Sequence, residues 1–134
     1  PRHSTHYRLL AHINEVAEAG LMLADFAYSH WPDEWTKKLD RQELLQILLL
    51  HDLDKYLLLS DESLEMSIAH GTLSAMILND LGFDSRVIEA VASHSPSASL
   101  HLDDPASMIL HYCDLFSCDH IYMLVSRTPH YCMK

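Results

Sequence analysis

Glycine and proline are scarce, three and five in 134 residues. That excludes a collagen-like chain and a low-complexity disordered one. Cysteine is scarce too: Cys113, Cys118 and Cys132 are odd in number and crowded late in the chain. This fits reduced thiols in a cytoplasmic protein better than a disulfide framework. Nine basic residues face nineteen acidic ones, for a net charge of −10. A long nucleic acid or an anionic membrane face is a poor partner for such a chain. One small phosphorylated ligand remains acceptable, because a metal ion can reverse the local field. No apolar run approaches the ~18 residues that span a bilayer, and no signal peptide is readable. Residue 1 is Pro and not Met, so a fragment of a larger protein is among the expectations. Also absent are a glycine-rich phosphate loop, a Ser-His-Asp nucleophile context, a zinc-finger cysteine pattern, strand alternation and internal repeats.

About half of the residues (49%) are apolar. A chain this long buries roughly two-thirds of its unfolded surface and needs no staples. The expected architecture is all-α: one compact bundle of about five main helices over residues 1–134, with a loose tail at 126–134. Helix 1 starts at Ser4 or Thr5 and runs to about Ser29, with apolar residues at helical spacing from Leu9 to Ala27. Trp31-Pro32 ends it, and a polar linker follows through Lys38. Trp31 and Trp35 read as packing anchors. Asp40 and Glu43 form a capping box ahead of Leu44–Leu50, which is apolar nearly all round and so predicts a fully buried helix 2. Segment 53–61 reads as a loop or ragged helix end. Helix 3 is expected from Ser60 or Asp61 to about Leu81, closed by Gly82. Asp84 caps helix 4, to about Ser93. Asp103 or Asp104, with Pro105 in the first turn, starts helix 5, to about Val125.

Histidine is abundant, eleven residues, and its placement matters more than its number. His12 lies inside helix 1, His51-Asp52 ends helix 2, His70 lies inside helix 3, His94 ends helix 4 and Asp114 lies inside helix 5. Metal sites in bundles are built from inward-facing ligands on different helices. Imidazole with carboxylate suits divalent Fe, Mn, Zn or Co, whereas all-oxygen sites suit Mg or Ca. Two adjacent residues cannot share one helical face, but at a helix end, where the backbone turns, both can reach one ion. A buried carboxylate such as Asp52 also demands compensation. His111 reads as a surface residue, Cys113 and Cys118 as packing residues, and Arg86 and Arg127 as candidate anion contacts.

The ordered set His12…His51-Asp52…Asp114 resembles the H…HD…D signature of the HD-domain superfamily of metal-dependent phosphohydrolases. The flanks agree: His12 to Ala17, the apolar run into His51-Asp52-Leu53-Asp54-Lys55, His70-Gly71-Thr72, and Val87 to His94. The likeness covers about residues 9 to 120. It implies that His12, His51, Asp52 and Asp114 hold a first metal, and that Asp52 bridges to a second held by His70 and His94. The cofactor implied is one or two divalent transition metal ions, Fe or Mn favoured, with Zn, Co, Ni or Mg admissible. The catalytic residues implied are Asp52 as bridging ligand and Lys55 as a phosphate contact, and Asp54 beside them is the candidate proton acceptor. Asp54 is a departure, because many two-metal members carry Gly there. The implied activity is hydrolysis of a small phosphorylated molecule, a nucleotide foremost. Two alternatives are a mixed-valence diiron oxygenase of the same superfamily and a non-catalytic metal- or nucleotide-binding regulatory module. Substrate, metal count and oligomeric state stay open at this stage.

Overall fold

The computed structural model describes residues 5–55, 71–94 and 104–125, with side chains in 8–55, 71–94 and 104–120. The expectations for residues 56–70, 95–103 and 126–134 lie outside the described residues; they concern most of segment 53–61, the first half of helix 3, His70, Arg127, Cys132 and the tail. Every regular element among the described residues is helical: α1 (Thr5–His30), α2 (Asp33–Thr36), α3 (Arg41–Leu50), α4 (Thr72–Asp80), α5 (Ser85–Ala92) and α6 (Pro105–Val125). Residues 53–55 are helical as well. The fold is all-α, and no helix among the described residues is long and apolar enough to cross a membrane. α3 is the hub: it packs on α1, α5 and α6, while α1 lies along α6 and α4 pairs with α5.

Local chemistry sets the ends of these helices. Asp40 Oδ1 accepts the Glu43 N–H at 2.8 Å, as an N-cap should. The Glu43 carboxylate meets Arg86 Nε at 3.1 Å instead of closing a capping box. Arg86 also donates to the Lys38 carbonyl at 2.7 Å and lies 3.8 Å from Asp104 Oδ1. The guanidinium expected to meet an external anion is therefore engaged by the protein's own α3, α6 and the chain between α2 and α3. Asp84 caps α5 through the Arg86 N–H, and Asp104 caps α6 through the Ala106 N–H. α4 closes in a Schellman turn, with Phe83 N–H on the Leu78 carbonyl and Gly82 N–H on that of Asn79. Gly82 takes the expected positive φ, 82°.

Three further expectations, about helix course and burial, are corrected. Helix 3 does not run unbroken to Leu81. Gly71 adopts φ 94°, a left-handed conformation outside the helical range, and α4 starts only at Thr72. The linker after helix 1 contains the one-turn α2, in which Trp35 and Thr36 N–H groups bond the Pro32 carbonyl. Helix 2 is not buried all round: Leu44, Ile47 and Leu48 are inside, but Leu45 and Leu49 are 36% and 42% exposed. Apolarity alone cannot say how many sides of a helix find a partner.

The core gathers Val16, Leu44, Ile47, Leu48, Leu78, Val87, Val91, Ile109 and Leu110. α1 and α3 approach closely at Gly20, where an added Cβ would lie 2.5 Å from Leu48 Cδ1. Leu48→Ala is expected to cost about 2–5 kcal/mol in denaturant unfolding. Gly20→Ala should destabilise the wild-type chain by overpacking. In the Leu48→Ala background the clash is gone and the same change should become neutral or stabilising through its better helix propensity. Equal effects in both backgrounds would show that the two helices do not meet through this pair.

Candidate metal centre

α3 ends at Leu50, and His51 follows it with φ −61° and ψ −29°. The last carbonyls of a helix lack intrahelical partners. His51 uses one of them: its Nδ1–H donates to the Leu48 carbonyl at 2.8 Å. His94, just after α5, repeats the device, donating Nδ1–H to the Val91 carbonyl at 2.5 Å. Each ring is thereby locked with Nε2 turned inward. The turn at residues 51–52 then lets Asp52 reach the same hollow.

His12 arrives from the middle of α1 and Asp114 from α6. His12 Nε2 lies 3.2 Å from Asp52 Oδ2 and 3.0 Å from Asp114 Oδ1. His51 Nε2 lies 3.3 Å and 3.5 Å from the same two oxygens. One ligand atom from each of these four residues falls within 4.8 Å of the other three. His94 Nε2 approaches the other oxygen of Asp52, Oδ1, at 3.5 Å. Asp52 thus turns one oxygen to the His12–His51 side and one to the His94 side. Lys55 Nζ donates to Asp52 Oδ2 at 3.1 Å. His70 lies outside the described residues.

The donor set passes a test of fit for a cation. His12 Nε2 and His51 Nε2 are buried and make no hydrogen bond, yet each faces two carboxylate oxygens. Buried imidazole nitrogens that face carboxylates without making a hydrogen bond are costly, and an ion between the four residues would remove that cost. Burial alone would push the His51 imidazole down, but the Asp114 and Asp52 carboxylates outweigh it and raise its pKa from 6.5 to about 10. His12 is raised by the same contest between burial and the Asp114 and Asp52 carboxylates. Asp114 is held well below the usual carboxylate range, because His12 and His51 overcome the upward push of burial. Lys55 is raised, Asp52 outweighing burial.

Asp54 is fully buried. Its Oδ2 accepts the Gly71 N–H at 3.2 Å, and its own N–H donates to Ser74 Oγ at 2.7 Å. It therefore ties the end of the doublet segment to the turn before α4. Cys113 packs in the core, and burial raises its thiol to about 11. Cys118, four residues after Asp114 and so on its helical face, has Sγ 3.6 Å from Asp114 Oδ1. Burial first, then Asp114, raises this thiol to about 12, so neither offers a thiolate near neutral pH. His111 is half-buried and stacks edge-on with Tyr112. A cavity of about 590 Å³ between α1 and α6, lined by Met22, Phe26, Tyr112 and Phe116 among others, includes none of the four clustered residues. Residue reading missed Ser117, whose Oγ meets His12 Nδ1 at 2.9 Å, and Ser74. Ser117 had a signal: it stands three residues after Asp114 and so shares its helical face.

A family model described as HD domain matches residues 9–118. The chain belongs to the HD domain family. The four clustered residues lie within the matched range, and their cluster fits an HD-type metal site. Neither the curated proteins nor the solved structures contain a significant match to this HD chain.

Two outcomes follow from this geometry. Protonated His51 stabilises the metal-free fold below the unfolded value of 6.5, and this contribution is lost as the pH rises through about 10; His12, raised from the same unfolded value, contributes in the same sense. The Tm of chelator-treated protein should therefore fall across that window. A divalent ion needs neutral rings, so the Tm gain from added Mn²⁺ should grow as the pH rises from about 6 to about 8. A gain largest at the acid end would remove the imidazoles from the ligand set. Separately, a Cβ on Gly71 would meet the Val91 carbonyl at 2.9 Å and the His94 ring at 3.3 Å. Gly71→Ala should destabilise by more than about 1 kcal/mol in urea unfolding, from the left-handed φ alone.

Proposed function

We propose that this chain is a metal-dependent phosphohydrolase acting on a small phosphorylated substrate, with nucleotides the first class to test. The observation that carries the reading is the convergence of His12, His51, Asp52 and Asp114, with two imidazole Nε2 atoms buried and making no hydrogen bond. Two imidazoles with two carboxylates favour Fe(II) or Mn(II), with Zn, Co, Ni and Mg next. A divalent ion held there would lower the pKa of a water ligand from ~15.7 toward ~7 and neutralise charge on a phosphoryl oxygen.

The chain's residues divide the remaining work. His12, His51, Asp52 and Asp114 would hold the ion. Asp52 Oδ1, turned toward His94, supports the proposal that Asp52 bridges to a second ion completed by His94 and His70. Lys55, its side chain 40% exposed, anchors Asp52 and is proposed to reach a phosphate oxygen as well. Asp54 is proposed as proton acceptor. Because its carboxylate also braces Gly71, replacing it would disturb fold and chemistry together, and Lys55→Ala is the cleaner probe.

The test is phosphate release from a panel of nucleotides and generic phosphoesters with Fe, Mn, Co, Ni, Zn or Mg supplied in turn. Release is expected with Fe or Mn. Asp52→Asn should lower it by more than about 100-fold, since losing a ligand should exceed the effect of losing an outer partner. Lys55→Ala should act mainly through KM. No release with any metal on any substrate would overturn the proposal.

A further inference from the structure

Resting on the metal reading above, we propose that Ser117 is the positioning residue that decides which nitrogen of His12 faces the centre. Among the described residues, three imidazoles approach Asp52. His51 and His94 are held at Nδ1 by main-chain carbonyls. A carbonyl oxygen only accepts, so in the neutral ring Nδ1 carries the proton and Nε2 keeps the lone pair. His12 has no such lock, because it lies inside α1, where nearby carbonyls serve the helix ladder. Its Nδ1 meets a hydroxyl, Ser117 Oγ, at 2.9 Å. A hydroxyl can donate or accept, so this contact alone leaves the tautomer undecided.

A second contact decides it. Ser117 Oγ also donates to the His12 main-chain carbonyl, at 3.4 Å. With its single proton directed there, Oγ offers a lone pair to Nδ1–H. The lone pair of His12 then sits on Nε2, facing Asp52 and Asp114. Ser117 is fully buried, so water does not compete for either contact. Among these three imidazoles, His12 alone has a tautomer set by a replaceable side chain.

The experiment measures Mn²⁺ and Zn²⁺ affinity by competition with a chromophoric chelator, together with the Tm of the metal-free protein. Ser117→Ala is expected to weaken binding by about 10–100-fold. Ser117→Cys keeps the shape with a poorer acceptor; it should also weaken binding, and it covers the case of an alanine variant that does not fold. Ser107→Ala is the matched control. It removes another buried hydroxyl of α6, one that donates to Asp104 Oδ2 at 2.8 Å, and should lower Tm while leaving affinity within about twofold of wild type. Wild-type affinity in both Ser117 variants, or an equal loss in Ser107→Ala, would overturn this inference alone. A wild-type protein that takes up neither metal would overturn the metal reading and this inference with it.

Discussion

Two carboxylates in the interior of a helical bundle are the constraint on which the rest of the site depends. Asp52 has no exposed surface, and the Asp114 side chain is 15% exposed. Moving such a group from water into protein costs several kcal/mol unless it is compensated. The surroundings are arranged accordingly. Two imidazoles are drawn to a charged state, a lysine ammonium lies on one carboxylate oxygen, and a thiol faces another. In the metal-free protein this compensation comes from protons. A divalent cation would supply it without them, and the buried Nε2 atoms are oriented for that exchange.

Orientation comes from helix ends. A helix leaves its last carbonyls without partners, and α3 and α5 each spend one on a histidine placed just after the last turn. The ring nitrogen that does not bond the carbonyl points into the molecule. Gly71 belongs to the same scheme. Its left-handed backbone and missing Cβ leave room for the His94 ring and the Val91 carbonyl, and its N–H is held by Asp54. The doublet, the turn before α4 and the end of α5 are therefore one mechanical unit.

Much of this was legible in residue order. Asp40, Asp84, Gly82 and Pro105 mark helix boundaries by short-range chemistry, and the structure keeps them. The cluster was legible as residue types and, through the resemblance, as an ordered set: His12, the adjacent pair His51-Asp52 where a helix must end, and Asp114 are residues that could hold a metal ion, and they do come together. Long-range matters were not legible. The one-sided burial of α3 depends on which neighbours reach it, and Leu45 and Leu49 are as apolar as Leu44 and Leu48. Arg86 offered itself as an anion contact, yet Glu43 and Lys38, far away in sequence, claim its donors. The left-handed backbone of Gly71 was hidden because glycine inside a helical pattern reads equally as a tolerated interruption.

The amino-acid sequence by itself determined the helical class, the position of most helix ends and the residues able to bind a cation. These properties rest on side-chain chemistry acting within one or two turns. Only the tertiary structure decided which faces are buried, that Asp52 divides its two oxygens between His94 and the His12–His51 pair, and that a serine 105 positions away meets the Nδ1 of His12. Those outcomes depend on how helices distant in sequence pack together, and no local pattern encodes that packing.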